Sequence, residues 1–415
     1  MNYLSPAALA ADLAVRDLTD PAAGPHALQL LVSAILAAAS ARWPSASLVV
    51  HRGSRIVPVA DNYDRLGYAP SASARDSRYS RYVARDRLLR SQTSALIPGA
   101  LRAHAVSDAL VACPGMVYRR DAIDRLHTGT PHQLDLWRIA PAATPGRSSG
   151  AASPVDSPAR AAGPPARAAG APARAAGAPA PAAGAPARAA GPLDDELLEL
   201  VGIALRAALP GVPWRTKPAS HPYTTGGLEI EALDPAGAWV EVGECGIAAE
   251  HVLRGAGIPP GVGGLALGLG LDRLLMLRKG IDDIRLLRSA DRRVVSQMTD
   301  LTPYRPVSAQ PAAHRDLSVA LPADVTAEDL GDRVRDLLGD DAHLVEEVTI
   351  LSVTPPAALP AASRARLALR DDEANVLLRV VLRDLHAALP KHRANALRDR
   401  LWTGLMGDRT PALTA

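Results

Sequence analysis

A repeat in the middle of the chain limits the possible folds more than any other feature of the sequence. Residues 157–191 carry five copies of a seven-residue unit, of which APARAAG is typical. Seven is the coiled-coil period, but each copy contains the helix breakers Gly and Pro and lacks a large apolar residue. With the similar stretch before it, the repeat predicts a disordered, Pro-extended insertion over residues 143–192. The segments on its two sides must therefore supply the core.

Hydrophobic periodicity predicts the elements that flank this insertion. A helix is expected over residues 26–42, and LDDELLELVGIALRAAL (193–209) predicts an amphipathic helix with acidic residues in its first turn. A Gly-rich strand is expected to run into a helix near Asp272. Further strands are predicted at 47–51, 56–60, 228–233 and 238–243.

The C-terminal segment has a pattern of its own. Residues 314–405 predict a strand, a helix, a second strand, a hairpin over 365–383 and a final helix. That order is typical of a split βαβ unit in a small ferredoxin-like α/β sandwich. We therefore expect an α+β protein with a core domain over residues 1–300 and a second domain over 301–415.

Charge and composition exclude several classes of protein. The chain has 415 residues, two cysteines and a formal net charge of +3, which predicts neither a disulfide framework nor a strongly basic nucleic-acid binder. With acidic residues near the N-terminus and no long apolar run, the expectation is a cytoplasmic protein without a membrane partner. Seven arginines between residues 65 and 90 indicate either a solvated loop or a surface for RNA phosphates.

Three segments contain the candidate residues for catalysis and substrate binding: GMVYRRDAIDRLHTGTPHQLDLW (115–137), WVEVGECGIAAEHVLRGAGI (239–258) and GLGLDR (268–273). GLGLDR alone is weak evidence, and a dinucleotide-binding interpretation fails because no third glycine opens the helix. Together, in this order, the three segments resemble the signature regions of phenylalanyl-tRNA synthetases, which are class II enzymes. YRRD resembles the second class II motif and is therefore expected to lie in a strand. GLGLDR resembles the third motif.

The resemblance covers nearly the whole chain except the insertion and the first twenty residues. It implies a class II antiparallel sheet flanked by helices, followed by the ferredoxin-fold anticodon-binding domain of the single-chain enzymes. It also implies ATP and Mg²⁺ as cofactors, tRNA and an aromatic amino acid as partners, and a monomer or homodimer. Basic residues of the last domain are candidate tRNA contacts: Arg379, Arg383, Lys391 and Arg393.

For the nucleotide, the resemblance implies that Arg119 contacts the α-phosphate and the amino-acid carboxylate, and that Arg273 holds the distal phosphates. Asp121 would accept from the adenine amino group or its neighbours, and Glu241 would help to hold magnesium. His127 is a further candidate for contact with ATP. Planar guanidinium groups suit this task because they neutralise phosphate charge bidentately. The attacking carboxylate is already ionised, so no general base is required.

For the amino acid, the resemblance places Gln133 and Asp135 at the α-ammonium group, with Ser94 and His132 nearby. Three positions bear on specificity. Gln92 stands where the family usually has histidine, and Ala266 stands where a small residue opens the end of the pocket. His221-Pro222-Tyr223 replaces an aromatic-Pro-aromatic element, so both rings gain polar edges that would favour a hydroxylated or heteroaromatic amino acid.

The sequence thus predicts ATP-dependent activation of phenylalanine or a related aromatic amino acid and its transfer to tRNA. One alternative is a specialised paralogue that charges a nonstandard aromatic amino acid, and another is a non-catalytic tRNA-binding regulator. The chain contains no phenylalanine. This absence fits a protein made while phenylalanine decoding is compromised, or drift in a compositionally biased genome.

Overall fold

The computed structural model describes residues 3–104, 107–141, 192–306, 310–370 and 372–407. The predicted insertion over 143–192 lies outside the described residues except for Pro192, at which a helix begins. The helices are α1 (Pro6–Ala14), α2 (Ala27–Arg42), α3 (Val59–Asn62), α4 (Ile97–His104), α5 (Pro192–Ala208), α6 (Glu250–Gly255), α7 (Leu271–Lys279), α8 (Arg292–Val295), α9 (Ala327–Leu338), α10 (Ala361–Leu367) and α11 (Lys391–Met406).

The strands belong to three sheets. The large sheet consists of β1 (Ser47–Val50), β5 (Ala109–Met116), β6 (His132–Pro141), β7 (Trp214–Pro218), β8 (Thr224–Leu233), β9 (Trp239–Ala248) and β10 (Val262–Gly270). A small sheet consists of β2 (Ile56–Pro58), β3 (Tyr82–Ala84) and β4 (Arg87–Leu89). The C-terminal sheet consists of β11 (Ala313–Pro322), β12 (Val345–Thr354) and β13 (Glu373–Leu382).

The large sheet has the strand order β1-β5-β6-β10-β9-β8-β7. Strand β1 runs parallel to β5, and every other pair is antiparallel. The strands that flank the insertion, β6 on one side and β7 to β10 on the other, hydrogen-bond into this one sheet. The expected antiparallel sheet and its flanking helices are confirmed.

Alternation along the strands divides the core into two layers. Leu110 and Ala112 of β5 join a cluster with α2, α5 and α7 on one face, whereas Val111 and Cys113 join a cluster with α4 and α6 on the other. Helix α2 begins one residue after the predicted start and ends at Arg42 as predicted. Among the described residues, no helix has the length and apolar character needed to cross a membrane.

The C-terminal sheet has the order β11-β13-β12, with the central strand antiparallel to both neighbours. Helices α9 and α11 pack against it around a separate core. This confirms the expected small domain with a split βαβ unit. The predicted hairpin over 365–383 is wrong in its first half, because Ala361–Leu367 is a helix. Ala- and Arg-rich residues after Pro360 are good helix formers, and that propensity prevails over the alternating pattern.

Candidate active site

The loop after β5 connects the two domains. YRRD was expected in a strand, but β5 ends at Met116 and the motif lies in irregular structure. Ile123 of this loop is buried in the core of the C-terminal domain, and its carbonyl oxygen accepts from the Val348 N–H at 2.9 Å. Arg335 donates to the Asp121 carbonyl oxygen at 3.1 Å. The C-terminal domain therefore positions the loop that carries Arg119 and Asp121.

One cavity of about 340 Å³ opens over the C-terminal end of β10. Its lining brings together ten of the residues predicted from sequence, from segments on both sides of the insertion. The predicted residues in the lining are Gln92, Ser94, Arg119, Asp121, His127, His132, Gln133, Asp135, Glu241 and Arg273.

At one end of the cavity, Arg119 and Arg273 supply positive charge. Arg119 is exposed, and its Nε donates to the Ser91 carbonyl oxygen at 2.9 Å. Arg273 donates to the Glu241 carbonyl oxygen at 2.9 Å, and its guanidinium lies 3.6 Å from the Glu241 carboxylate. Because both guanidinium groups keep free N–H positions at the cavity, they suit a polyanionic ligand.

His127 orients Arg273. Its Nδ1 lies 2.6 Å from the Asp124 carboxylate, and its Nε2 lies 2.8 Å from the Arg273 guanidinium. Since arginine can only donate, Nε2 accepts and the ring proton is on Nδ1. The hydrogen bond with Asp124 raises the pKa of His127 above its usual range, although burial opposes this. Protonation would remove the Nε2 acceptor, so His127 orients Arg273 as the neutral imidazole.

Asp135 lies on the floor of the cavity and is buried. Its carboxylate accepts hydrogen bonds from the Thr93 and Ser94 hydroxyl groups, at 2.7 and 3.1 Å, and from the Trp137 indole at 3.2 Å. Burial raises the pKa of Asp135 to about 6, even though these donors oppose the rise. A carboxylate has about four acceptor positions, so one remains for a cationic group. Gln133, which accepts from the Thr93 N–H at 3.1 Å, lies beside it.

His132, a predicted amino-acid contact, lies in the cavity lining, but the protein itself surrounds its ring. Its ring is fully buried, with Nδ1 2.9 Å from Asp272 and Nε2 accepting from the Leu18 N–H at 3.1 Å. Arg288 lies 3.1 Å from the same Nε2. Both ring nitrogens are occupied by the protein, so His132 fixes the start of β6 and α7. Asp272, within GLGLDR, was not predicted to have this role.

The predicted specificity residues lie around a carboxylate that sequence reasoning missed. Glu244 lines the cavity, accepts from the Tyr223 hydroxyl, and lies 2.8 Å from His221 Nε2. Burial alone would raise the pKa of Glu244, but the contacts with His221 and Tyr223 lower it below the usual range. The available signal was a charged residue between two small ones, directly after the strand predicted at 238–243.

The other two specificity positions are buried beside this group. Gln92 donates to the Asn62 carbonyl oxygen at 2.9 Å and accepts from the Tyr68 hydroxyl at 3.2 Å, so the protein satisfies both ends of its amide. Ala266 is in the core cluster that contains Tyr223 and does not line the cavity. Neither side chain has an evident free polar group for a ligand.

The candidate tRNA contacts lie in the C-terminal domain, and none of them lines the cavity. Arg379 forms a two-point ion pair with Asp316, with both N–O distances at 2.8 Å. Arg383 pairs with Glu346, and Arg393 with Asp341. Lys391 is exposed at the start of α11. In the arginine-rich segment 65–90, Arg90 is buried and donates to the Met116 carbonyl oxygen at 2.8 Å, so it is not part of a surface for RNA.

A comparison of this sequence with protein families agrees with the fold and with the residues that line the cavity. Residues 45–144 and 199–298 match the family "tRNA synthetases class II core domain (F)". The two matched segments flank the insertion and contain every predicted residue that lines the cavity. The chain therefore has a class II tRNA synthetase core, and members of this class generally use ATP and Mg²⁺.

Within that class, this chain is similar to several phenylalanine–tRNA ligases. A probable mitochondrial enzyme of Drosophila melanogaster is 28% identical over 71% of this chain and 66% of its own. The mitochondrial enzyme of Saccharomyces cerevisiae is 39% identical over 33% and 31%, and an alpha subunit from Prochlorococcus marinus is 28% identical over 57% and 56%. The chain thus spans less than two thirds of the length of each of these relatives.

Proposed function

We propose that this protein activates phenylalanine or a related aromatic amino acid with ATP and transfers the aminoacyl group to a tRNA. The observation that carries the proposal is that a cationic end and an anionic end meet in one cavity. Arg119 and Arg273 suit the phosphates, whereas Asp135 suits an α-ammonium group. The likeness to phenylalanine–tRNA ligases supports the same reaction.

In the first step, an oxygen of the amino-acid carboxylate attacks the α-phosphorus of ATP and pyrophosphate leaves. Two anions must approach each other, so the main task of the site is to neutralise charge and align the reactants. Arg119 would contact the α-phosphate and the carboxylate, while Arg273, oriented by His127, would hold the distal phosphates. Asp121 would accept from the adenine amino group. No side chain needs to remove a proton.

Magnesium would be held with the nucleotide rather than by the protein alone. The described residues contain no group of three or more His, Cys, Asp or Glu side chains that could hold a metal ion. Glu241 suits such a shared site because its side chain is 55% exposed and lies beside Arg273 at the cationic end of the cavity. Mg²⁺ takes one or two carboxylates together with phosphate oxygens. The ion would neutralise phosphate charge in the transition state.

In the second step, a hydroxyl of the terminal ribose of tRNA attacks the aminoacyl carbonyl and AMP leaves. We propose that residues 1–300 perform both steps and that residues 301–415 bind the tRNA anticodon region, with Arg379, Arg383, Lys391 and Arg393 as phosphate contacts. Because three of these four are paired with carboxylates, tRNA would have to compete with those ion pairs.

Amino-acid-dependent exchange of labelled pyrophosphate into ATP tests the first step, and aminoacylation of total tRNA tests the second. We expect exchange with at least one aromatic amino acid and transfer of that amino acid to tRNA. Exchange without transfer would support an adenylating enzyme of a different pathway. Binding of tRNA without exchange would contradict the proposal and favour a non-catalytic regulator.

A further inference from the structure

One row of the central sheet forms the floor of the cavity. In the strand register, Cys113 faces Asp135, Asp135 faces Gly268, and Gly268 faces Glu244. Directly paired residues project from the same face of an antiparallel sheet. Neighbouring strands are about 4.8 Å apart, which puts Asp135 and Glu244 about 10 Å apart at their backbones with a glycine between them.

Gly268 creates space between the two carboxylates. A Cβ atom at this position would come within 3.6 Å of the Glu244 side chain, so any larger side chain would fill the gap. A ligand that lies across Gly268 therefore meets one acidic group at each end. If its α-ammonium binds Asp135, as proposed above, its side chain extends over Gly268 toward Glu244.

Neighbouring side chains hold the Glu244 carboxylate in place, and the carboxylate is still exposed to the cavity. His221 and Tyr223 each contact one of its oxygens, and their rings are stacked with centroids 5.8 Å apart. The His221 ring is further held by Thr224, whose hydroxyl lies 3.3 Å from Nδ1. Even so, 38% of the Glu244 side chain is exposed, and a carboxylate with two contacts keeps about two acceptor positions.

An unsubstituted phenyl ring is a poor match for this end of the cavity. It would exclude water from an ionised carboxylate and offer no hydrogen bond in return. A ring with a hydroxyl, amino or N–H group could donate to the free positions. His221 already partners this carboxylate at 2.8 Å, and although burial lowers the pKa of His221, the contact with Glu244 raises it above the usual value. A neutral donor therefore suffices, and a second cation on the ligand is not required.

We propose that Glu244 is a specificity-determining residue and that the substrate is an aromatic amino acid whose ring carries a hydrogen-bond donor. This inference rests on the proposed amino-acid activation, since it identifies the substrate class of the same cavity. A site built to bond a ring donor discriminates strongly against the analogue that lacks it.

The test compares phenylalanine with 3-hydroxyphenylalanine, tyrosine and 4-aminophenylalanine in pyrophosphate exchange, using the wild-type protein, Glu244→Ala and Glu244→Gln. We expect the wild type to favour at least one ring donor over phenylalanine by about tenfold or more in kcat/KM. Glu244→Ala should remove most of that preference. The ratio for two substrates in one preparation does not depend on the active fraction, so partial misfolding of a variant does not obscure the result.

Two outcomes would overturn the inference while leaving amino-acid activation intact: phenylalanine preferred by the wild type, or a preference unchanged in Glu244→Ala. If no amino acid supports exchange, the proposed activity fails, and calorimetric binding of the same amino acids decides on Glu244 separately. Tighter binding of a ring donor, lost in Glu244→Ala, would support the inference. Equal binding, or no binding of any of them, would overturn it.

Discussion

The two ends of the cavity differ in how they are built. At the end that holds Arg119 and Arg273, the proposed phosphate end, the two guanidinium groups contact backbone carbonyl oxygens, one histidine and the Glu241 carboxylate, and both remain accessible. At the amino-acid end, Asp135 and Glu244 are surrounded by side-chain donors from several segments. Under the proposed function, the first end would bind the phosphate charge of ATP, and the second would bind one particular amino acid through its shape and hydrogen-bond donors.

Under the proposed function, this difference accounts for where the chain departs from the motifs of the family that it resembles. Phosphate chemistry requires charge and a planar fork at fixed positions, and YRRD and GLGLDR contain such arginines. The departures His221 and Tyr223 lie at the other end, around Glu244, where they would determine which amino acid binds. If the two ends are separable, a substitution at one end should change the binding of one substrate and leave the other nearly unchanged.

Arg119→Ala should lower the rate of pyrophosphate exchange by about 10²- to 10³-fold, because one preorganised donor to the developing charge is lost. The matched control is Arg254→Ala, since Arg254 is 69% exposed and pairs only with a neighbouring glutamate on its own helix in the described contacts. The control should retain wild-type exchange. An Arg119→Ala enzyme with full activity would remove this arginine from the proposed chemistry.

Arg273→Gln should raise KM for ATP by about 10- to 100-fold, the value of a charge-assisted contact with phosphate, and leave KM for the amino acid nearly unchanged. His127→Gln should have the same effect in a milder form because His127 acts through Arg273. Steady-state kinetics with each substrate varied in turn measures both values. Equal increases for both substrates would mean that the two ends are coupled.

The pH dependence should originate at the amino-acid end. Burial raises the pKa of Asp135 to about 6, so this group is ionised above that pH and protonated below it. Since only the ionised form binds an α-ammonium group, kcat/KM for the amino acid should fall up to about tenfold per unit as pH drops below 6. Glu244 raises the pKa of Asp135 further, and Glu244 is itself paired with His221, so the fall must persist in His221→Gln to be assigned to Asp135. A flat profile down to pH 5 would contradict the assignment.

Tyr223→Phe should have the smallest effect, a decrease of about 1.5 kcal/mol in the free energy of unfolding, because a hydrogen bond to a charged carboxylate is lost. Tyr68→Phe is the matched control, since its hydroxyl bonds only the neutral Gln92 amide at 3.2 Å, and should cost about 0.5–1 kcal/mol. Urea denaturation followed by tryptophan fluorescence measures both. A larger loss in the control would indicate that the Glu244 contact contributes little.

Local patterns in the sequence predicted the helices and strands whose formation depends on a few neighbouring residues. Helix α2, helix α5 and the change from strand to helix at Gly270 follow from periodicity, acidic first-turn residues and a glycine run. The helix at Ala361–Leu367 was missed because alternating apolar residues conflicted with strong helix propensity.

Sequence motifs predicted individual residues of the candidate site. They did not predict the features that depend on the register of strands distant in the sequence. No spacing in the sequence reveals that Glu244 and Asp135 share one row across Gly268, since the three residues are on three strands. The burial of Ile123 in the C-terminal core likewise depends on packing between domains. Both features follow from tertiary structure rather than local sequence.

The most direct test of the proposed site is a crystal structure of the protein with a non-hydrolysable adenylate analogue of 3-hydroxyphenylalanine. We expect the phosphate group within hydrogen-bonding distance of Arg119, the α-ammonium at Asp135, and the ring hydroxyl at Glu244. An analogue bound outside this cavity, or bound with its ring turned away from Glu244 toward the arginines, would contradict it.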